Sequence, residues 1–333
     1  MRVLILGGTT FLGRHLVEAA QSNGHVVTLF NRGRTNPDLF PDVEKLIGNR
    51  DGGLTALLGR KWDAVIDTSG YVPRVVRQSC SLLKEQVGTY IFVSSISAYG
   101  DFSAVGIDEE APVGEMEDPT SEDVHANYGA LKALCEKEVQ DAFQERALII
   151  RPGLIVGPND PTDRFTYWVR RYTQEGGVLV PKSPNAPIQF IDVRDLSEWI
   201  VRLAEQKTGG VFNATGPNES LTWVNFLGEL SSLDSIVRKE IGVDEAFLLE
   251  KGVREFLDLP LWISEKTGWP GFMTVDVSRA LKHGLTFRPL KDTILDTRRW
   301  DQTRNQSIEM KAGLMADREA ELLNEWGALQ IEN

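Results

Sequence analysis

Over the first 150 residues, short apolar runs alternate with longer stretches of helical spacing. Residues 3–6, 26–30, 64–66, 90–93 and 147–150 are almost wholly apolar and rich in Val and Ile, as strands buried on both faces are. Between them, residues 11–22, 73–84 and 128–143 place apolar side chains every three to four positions, which predicts amphipathic helices. Pro73 suits a first helical position, where its missing N–H costs nothing. Strand, helix and strand in repetition require right-handed crossovers and so predict a parallel, doubly wound α/β sheet.

The regularity breaks after Arg151. Residues 158–187 are rich in Pro, Asp and Arg around one aromatic helix at 165–172. Strand-like text returns at 190–195 and 211–215, with a helical pattern at 196–205 between them. From Ser220 onward the pattern is mostly helical, with Trp262, Trp269 and Trp300 spread across it and a last helix near 317–326. These patterns predict a sheet domain over 1–160 that takes back 188–215. A smaller, mostly helical lobe, made of 161–187 and 216–333, would cover the carboxyl ends of the strands. The sequence shows no internal repeat, low-complexity tract or flexible linker.

Composition narrows the partners. The apolar share is 41% and the charged share 25%, the make-up of an ordinary globular protein. A net charge of −12 supplies no long basic face for nucleic acid and disfavours anionic membranes, while a local positive pocket for a small anion stays open. Two cysteines, Cys80 and Cys135, make neither a disulfide framework nor a zinc site, and four dispersed histidines imply no metal. Sparse thiols, the absence of a ~20-residue apolar run and an N-terminal apolar stretch too short for a signal segment predict a cytoplasmic protein. The expected partner is a small-molecule substrate; a homodimer is left open.

The chemistry begins at the first strand, which runs into Gly7-Gly8-Thr9-Thr10-Phe11-Leu12-Gly13 and then a helix. A dinucleotide needs a tight turn, a backbone close to the pyrophosphate and a helix N-terminus aimed at the negative charge. Glycines meet the first two needs, and the position directly after a buried strand is the context such a loop requires. At the end of the second strand, Asn31 stands where an acid would take the ribose 2′-hydroxyl of NAD. Arg32 and Arg34 beside it suit a 2′-phosphate, although two solvated arginines would read the same way. NADP is therefore the expected cofactor, with NAD kept open. Tyr128 and Lys132 lie one helical turn apart. A nearby ammonium lowers a tyrosine pKa towards the range of acid/base work. Ser94, Ser95 and Ser97 follow the strand at 90–93, where this fold presents reactive groups, and a serine there can hydrogen-bond the same substrate oxygen.

The order of these elements resembles the extended short-chain dehydrogenase/reductase family, the NAD-dependent epimerase/dehydratase kind. It runs from the glycine loop through Ser94-Ser95 with Tyr99-Gly100, Tyr128 with Lys132 and Arg151-Pro152-Gly153 to Phe190-Ile191-Asp192-Val193-Arg194-Asp195, from residue 3 to about 215. The family's middle loop glycine is Thr10 here, the form of an atypical branch whose members carry names from reductase to RNA-binding protein. The resemblance implies a Rossmann-type fold with Ser95, Tyr128 and Lys132 as the catalytic set. It places Gly7, Thr9, Thr10, Phe11, Leu12, Gly13, Asn31, Asn49, Arg50, Thr68, Ser69, Gly70, Ser94, Pro152 and Ile155 along the cofactor, with Tyr128 and Lys132 also touching it. An asparagine that many relatives carry before the serine strand has no counterpart.

Two further departures bear on the reaction. Ile96 and Ser97 occupy the positions of the acid and base with which the family's dehydratases lose water, so dehydration is not expected. Ile188 occupies the place of an arginine that holds a nucleotide diphosphate, and Arg164, Arg170 or Arg171 would have to substitute. The leading expectation is an NADP-preferring oxidoreductase or epimerase acting on a secondary alcohol or ketone. A nucleotide-sugar 4-epimerase with tightly held NAD is the alternative enzyme. A non-catalytic NAD(P) sensor or RNA binder is the alternative from another class.

Overall fold

In the computed structural model, which describes every residue except 306 and 333, the expected alternation becomes one seven-stranded parallel sheet. Strands β1 (Arg2–Leu6), β2 (Val26–Asn31), β3 (Glu44–Ile47), β4 (Trp62–Asp67), β5 (Val87–Val93) and β6 (Ala147–Pro152) come first. They are followed by β7 (Ile155–Val156), β8 (Gly176–Pro181), β9 (Pro187–Ile188), β10 (Ile191–Asp192), β11 (Gly210–Ala214), β12 (Leu221–Thr222) and β13 (Arg238–Val243). The sheet order is β11-β6-β5-β4-β1-β2-β3. The order in which successive strands are added therefore reverses between β1 and β4, the place where a doubly wound sheet opens a crevice at its carboxyl edge.

Alternation along β1 decides the two layers. Val3 and Ile5 join the core beneath α1 (Phe11–Ser22), whereas Leu4 and Leu6 join the core on the other face, beneath α2 (Pro73–Leu83) and α3 (Val124–Phe143). Pro73 opens α2. The aromatic helix α4 (Thr166–Arg171) lies in the second lobe, and α5 (Val193–Glu205) returns to pack beside α1. β11 then pairs with β6, Phe212 beside Ile150.

One expectation needs correction. The strand predicted at 190–195 is extended only at Ile191 and Asp192. Asp192 accepts a hydrogen bond from the Arg194 N–H at 2.8 Å and starts α5 three residues earlier than the apolar pattern suggests. The C-terminal stretch is mostly helical, as expected, but includes strand β13, which pairs in parallel with β8. Its period is hidden by Lys239 and Glu240, both exposed. β3 is an edge strand that carries Glu44 and Lys45, too short and too polar to read as a strand, and such charges keep an edge from pairing with other chains.

The remaining helices are α6 (Trp223–Ser232), α7 (Glu245–Glu250), α8 (Ser278–Lys282), α9 (Leu290–Gln302) and α10 (Ala316–Glu332). The lobe has its own core, in which Trp168, Trp223, Phe226 and Trp262 are almost fully buried together. Its tryptophans thus mainly pack, with Trp269, half exposed, as the exception. Among the described residues no helix is long and apolar enough to cross a membrane.

Candidate active site

The glycine loop has the shape a pyrophosphate needs. Gly7 and Gly8 sit at φ +121° and +96°, which other residues rarely adopt. A Cβ on Gly13 would lie 2.7 Å from the Gly8 nitrogen, so the first turn of α1 rests directly on the loop. Thr10 is the N-cap and makes no side-chain cap bond. Phe11, Leu12 and Gly13 thus present first-turn N–H groups that lack intrahelical acceptors, the usual seat for an anion. The Thr9 carbonyl is held by Asn36 Nδ2 at 2.8 Å.

Two clefts meet at Thr10 and Tyr71, one of about 390 Å³ beside the end of β2 and one of about 500 Å³ over the serine strand. Their junction at Thr10 and the Cβ-free floor at Gly7 and Gly13 suit a dinucleotide that runs from one to the other. In the first cleft Asn31 ties two loops together: its Nδ2 donates to the Gly7 carbonyl at 3.0 Å and its Oδ1 accepts from the Gly33 N–H at 2.8 Å. Arg32 and Arg34 line the same cleft, exposed, and no carboxylate among the described residues pairs with either. Asn49 lines it too.

Arg50 behaves differently from its sequence expectation. Its guanidinium turns inward and forms a two-pronged ion pair with the fully buried Asp67, with Ser79 Oγ at 3.1 Å and Tyr90 donating to Asp67 at 2.7 Å. Its aliphatic part borders the cleft while its charge braces the end of β4. Thr68 and Ser69 likewise donate to the Leu6 carbonyl, at 2.9 and 3.3 Å, and so knit β4 to β1. Gly70 borders neither cleft; its carbonyl accepts from Lys132.

The second cleft gathers Ser95, Tyr128, Lys132, Pro152 and Ile155. Helix α3 begins at Val124, earlier than the predicted Tyr128, capped by Asp123 and broken at Asn127 (φ −124°, ψ 27°). Tyr128 restarts the helix there. A Cβ on Gly129 would fall 2.0 Å from the Ser97 carbonyl oxygen, so only glycine allows α3 to press against the serine loop. That contact brings the Tyr128 phenol beside the Ser95 hydroxyl, which also accepts from the Ser97 N–H at 3.1 Å. Burial pushes the phenol's pKa up, while Ser95 and the Arg164 guanidinium pull it down.

Lys132 is buried. Its Nζ donates to the Gly70 carbonyl at 2.9 Å and the Val93 carbonyl at 2.6 Å, 4.2 Å above the Phe92 ring, and burial lowers its pKa to about 8. Ser94 borders the cleft, but its hydroxyl donates to Glu136, which is itself ion-paired with Arg151. Ser94 is thus an internal brace, not a free ligand hydroxyl.

Some lining residues were not foreseen. Tyr71 stands where the clefts join, its ring centroid 6.4 Å from that of Tyr128. Phe256 and Phe272 come from the second lobe, and no local signal in their segments marks them. Of the three arginines around α4, Arg170 pairs with Asp301 at 2.5 Å and Arg171 with Glu319 at 2.7 Å, whereas Arg164 lines the cleft.

Comparison with known proteins bears on the family and the fold. The chain is 26% identical over 169 residues to a UDP-glucose 4-epimerase of Neisseria meningitidis serogroup B, covering 42% of this chain and 48% of that one. It is 26% identical over 236 residues to the chloroplast stem-loop binding protein of 41 kDa b of Arabidopsis thaliana, covering 65% and 58%. These matches span about half the length of each curated relative. A UDP-glucuronic acid 4-epimerase structure from Bacillus cereus in complex with NAD superimposes with a TM-score of 0.64 at 17% identity, over 91% of this chain and 99% of that one, a likeness of fold. The sequence profile of the NAD dependent epimerase/dehydratase family matches residues 3–215, from the glycine loop through the serine strand and Tyr128 to the last strand of the sheet, and the chain belongs to that family.

Proposed function

We propose that this chain is an NADP-preferring oxidoreductase or epimerase that acts on a secondary alcohol or ketone. The observation that carries the reading is the convergence of Ser95, Tyr128 and Lys132 in one cleft that continues into the glycine loop. Hydride acceptance and return is the chemistry that a bound nicotinamide would supply. Tyr128 takes or gives the hydroxyl proton of the substrate at its phenol oxygen. Ser95 donates to the same substrate oxygen and fixes its direction. Lys132, held by two carbonyls, keeps one of its three ammonium donors for a ribose hydroxyl. Gly7, Gly8 and the first turn of α1 hold the pyrophosphate, and Pro152 and Ile155 wall the ring end. Incubation with NADP or NAD and a panel of secondary alcohols, ketones and nucleotide sugars tests this. Change in reduced-nicotinamide absorbance or an epimerised product supports it, and neither with any substrate overturns it.

The preference for NADP rests on Arg32 and Arg34, exposed and without carboxylate partners in the first cleft. Arg32→Ala is expected to weaken NADP binding by about 1.5–3 kcal/mol, the worth of a charged hydrogen bond, and barely to change NAD binding. Calorimetric titration of both nucleotides reads this directly. Equal losses, or native NAD binding tighter than NADP, reverse the preference.

A pH dependence follows from Lys132. Below about 8 its side chain is an ammonium with three donors, two of them on carbonyls; above it the neutral amine has only those two. Dinucleotide affinity should therefore fall as pH rises through that value, and Lys132→Met should flatten this profile. Titration of the nucleotide at several pH values checks it, and an affinity that rises with pH in the native protein contradicts it.

The second reading is a nucleotide-sugar 4-epimerase with tightly held NAD, favoured by the names of the Neisseria and Bacillus relatives. Ile188, where the family resemblance puts a diphosphate-binding arginine, is buried in β9, which tells against it. Mass spectrometry of the cofactor that co-purifies separates the two. Dehydration has no support in either case: Ile96 is packed among Tyr99, Phe102 and Ile107 and cannot exchange a proton. The plant relative's name points to RNA, but a net charge of −12 and an assembled catalytic set favour an enzyme.

A further inference from the structure

We propose that Arg164 recognises an anionic group, a carboxylate or a phosphoryl, on the same substrate whose hydroxyl Tyr128 and Ser95 hold; this rests on the catalytic reading above. Arg164 belongs to the loop between β7 and α4 and lines the catalytic cleft with Ser95, Tyr128, Phe256 and Phe272. No carboxylate among the described residues comes within 4 Å of its guanidinium, in contrast to Arg170 and Arg171 a few residues on. The buried carboxylate of Asp160 compensates this charge only from beyond the Thr162 hydroxyl, and a ligand carboxylate or phosphoryl in the cleft would supply the direct ion pair that Asp160 does not make.

The loop is built to hold this side chain in place. Asp160, fully buried, accepts from the Thr162 N–H at 2.8 Å and from its hydroxyl, also at 2.8 Å. That hydroxyl in turn accepts from Arg164 Nε at 3.3 Å. On the other side Asp163, at φ +63°, is pinned by Arg304 at 2.5 Å and by the Lys311 N–H at 3.0 Å. Asn159, at φ +71°, is fixed by Arg14 at 3.1 Å. Two non-glycine residues in the left-handed region within one short loop are strained, and the bonds around them hold that strain. The result is a guanidinium whose Nε is anchored, whose carbon stands 5.8 Å from the Phe256 ring centroid, and whose two terminal nitrogens meet no acceptor among the described residues. A planar fork fixed in this way suits the two oxygens of a carboxylate or the oxygens of a phosphoryl group.

Arg164 lines the same cleft of about 500 Å³ as Ser95 and Tyr128, so the anion it would hold belongs to the molecule whose hydroxyl they hold. Neutral sugars and simple alcohols would leave the guanidinium without that direct ion pair, so the cleft discriminates against them.

Binding of glucose, glucuronate and glucose 6-phosphate to the NADP-saturated protein, followed by calorimetry, tests the proposal without requiring turnover. The native protein should bind glucuronate or glucose 6-phosphate at least about tenfold more tightly than glucose, the low end expected for a charged hydrogen bond. Which of the two binds better tells carboxylate from phosphoryl. Arg164→Gln should erase the preference with NADP affinity unchanged, and Arg164→Lys should restore part of it. Tyr128→Phe should keep the preference, so that failure of the catalytic reading, seen in turnover, stays distinct from failure here. Equal binding of the three sugars, absence of binding in every arm included, or a preference that survives Arg164→Gln, overturns the proposal.

Discussion

Tyr128→Phe is expected to lower turnover by at least about 100-fold, the scale of one lost acid/base group, while the fold and dinucleotide affinity stay close to native. The phenol oxygen is the only part removed, and no hydrogen bond that holds α3 together passes through it. Helix α3 is anchored instead by Asp123 at its N-cap, by the close approach of Gly129 to Ser97, and by Lys132 on the Gly70 and Val93 carbonyls. The ring's tilted contact with Tyr71 survives the change. What disappears is the proton donor and acceptor beside Ser95. Steady-state kinetics of the purified variant, with unfolding followed in parallel, separates loss of chemistry from loss of structure. Turnover within a few-fold of native would remove Tyr128 from its role.

Glu136→Ala should be strongly destabilising, with a loss of about 3–5 kcal/mol, the range for breaking a buried ion pair. The Glu136 and Arg151 side chains are 3% and 5% exposed and are joined by bonds of 2.6, 3.0 and 3.2 Å. The Ser94 hydroxyl donates to the same carboxylate, and the guanidinium lies 4.7 Å from the centre of the Tyr99 ring. Removal of the carboxylate leaves a buried positive charge without compensation and Ser94 without its acceptor. Glu138, two residues on along α3, provides the contrast. Its partner Arg77 is 64% exposed, and Glu138→Ala should cost under about 1 kcal/mol. Urea unfolding of the two variants, with midpoints compared at constant slope, measures the difference. Similar losses for both would show that burial of the Glu136 pair adds nothing. Replacing both partners, as in Glu136→Leu with Arg151→Met, should recover part of the loss, because an apolar pair needs no counter-charge.

The local signals read well wherever one element suffices to make them. Apolar runs mark β1, β2, β4, β5 and β6 because a strand covered on both faces leaves no room for polar positions. The glycines at 7, 8 and 13 are legible because the turn and the contact between loop and helix both forbid a Cβ. Arg50 shows the opposite case. Its place in the sequence suits a cofactor contact, and nothing near it announces that Asp67, 17 positions on, claims its charge. Ser94 and Ser95 are neighbours with the same side chain. Just past the end of β5 both meet α3, Ser94 at the buried Glu136 and Ser95 about two turns earlier at Tyr128, a distinction set by how α3 lies against this loop.

By itself, the sequence determined the alternation of layers and the nucleotide-type loop, because these depend on periodicity and on short spacings along one strand or helix; the set Ser95, Tyr128 and Lys132 came from the family resemblance. The tertiary structure alone decided which cations remain available. Arg50, Arg151, Arg170 and Arg171 all find carboxylates far away in the sequence, while Arg32, Arg34 and Arg164 do not. A charge is neutralised by what lies within a few ångströms of it in space, and that neighbour comes from another element of the fold. The aromatic wall of Phe256 and Phe272 arises in the same way, since it enters the cleft only once the second lobe has folded over the carboxyl edge of the sheet.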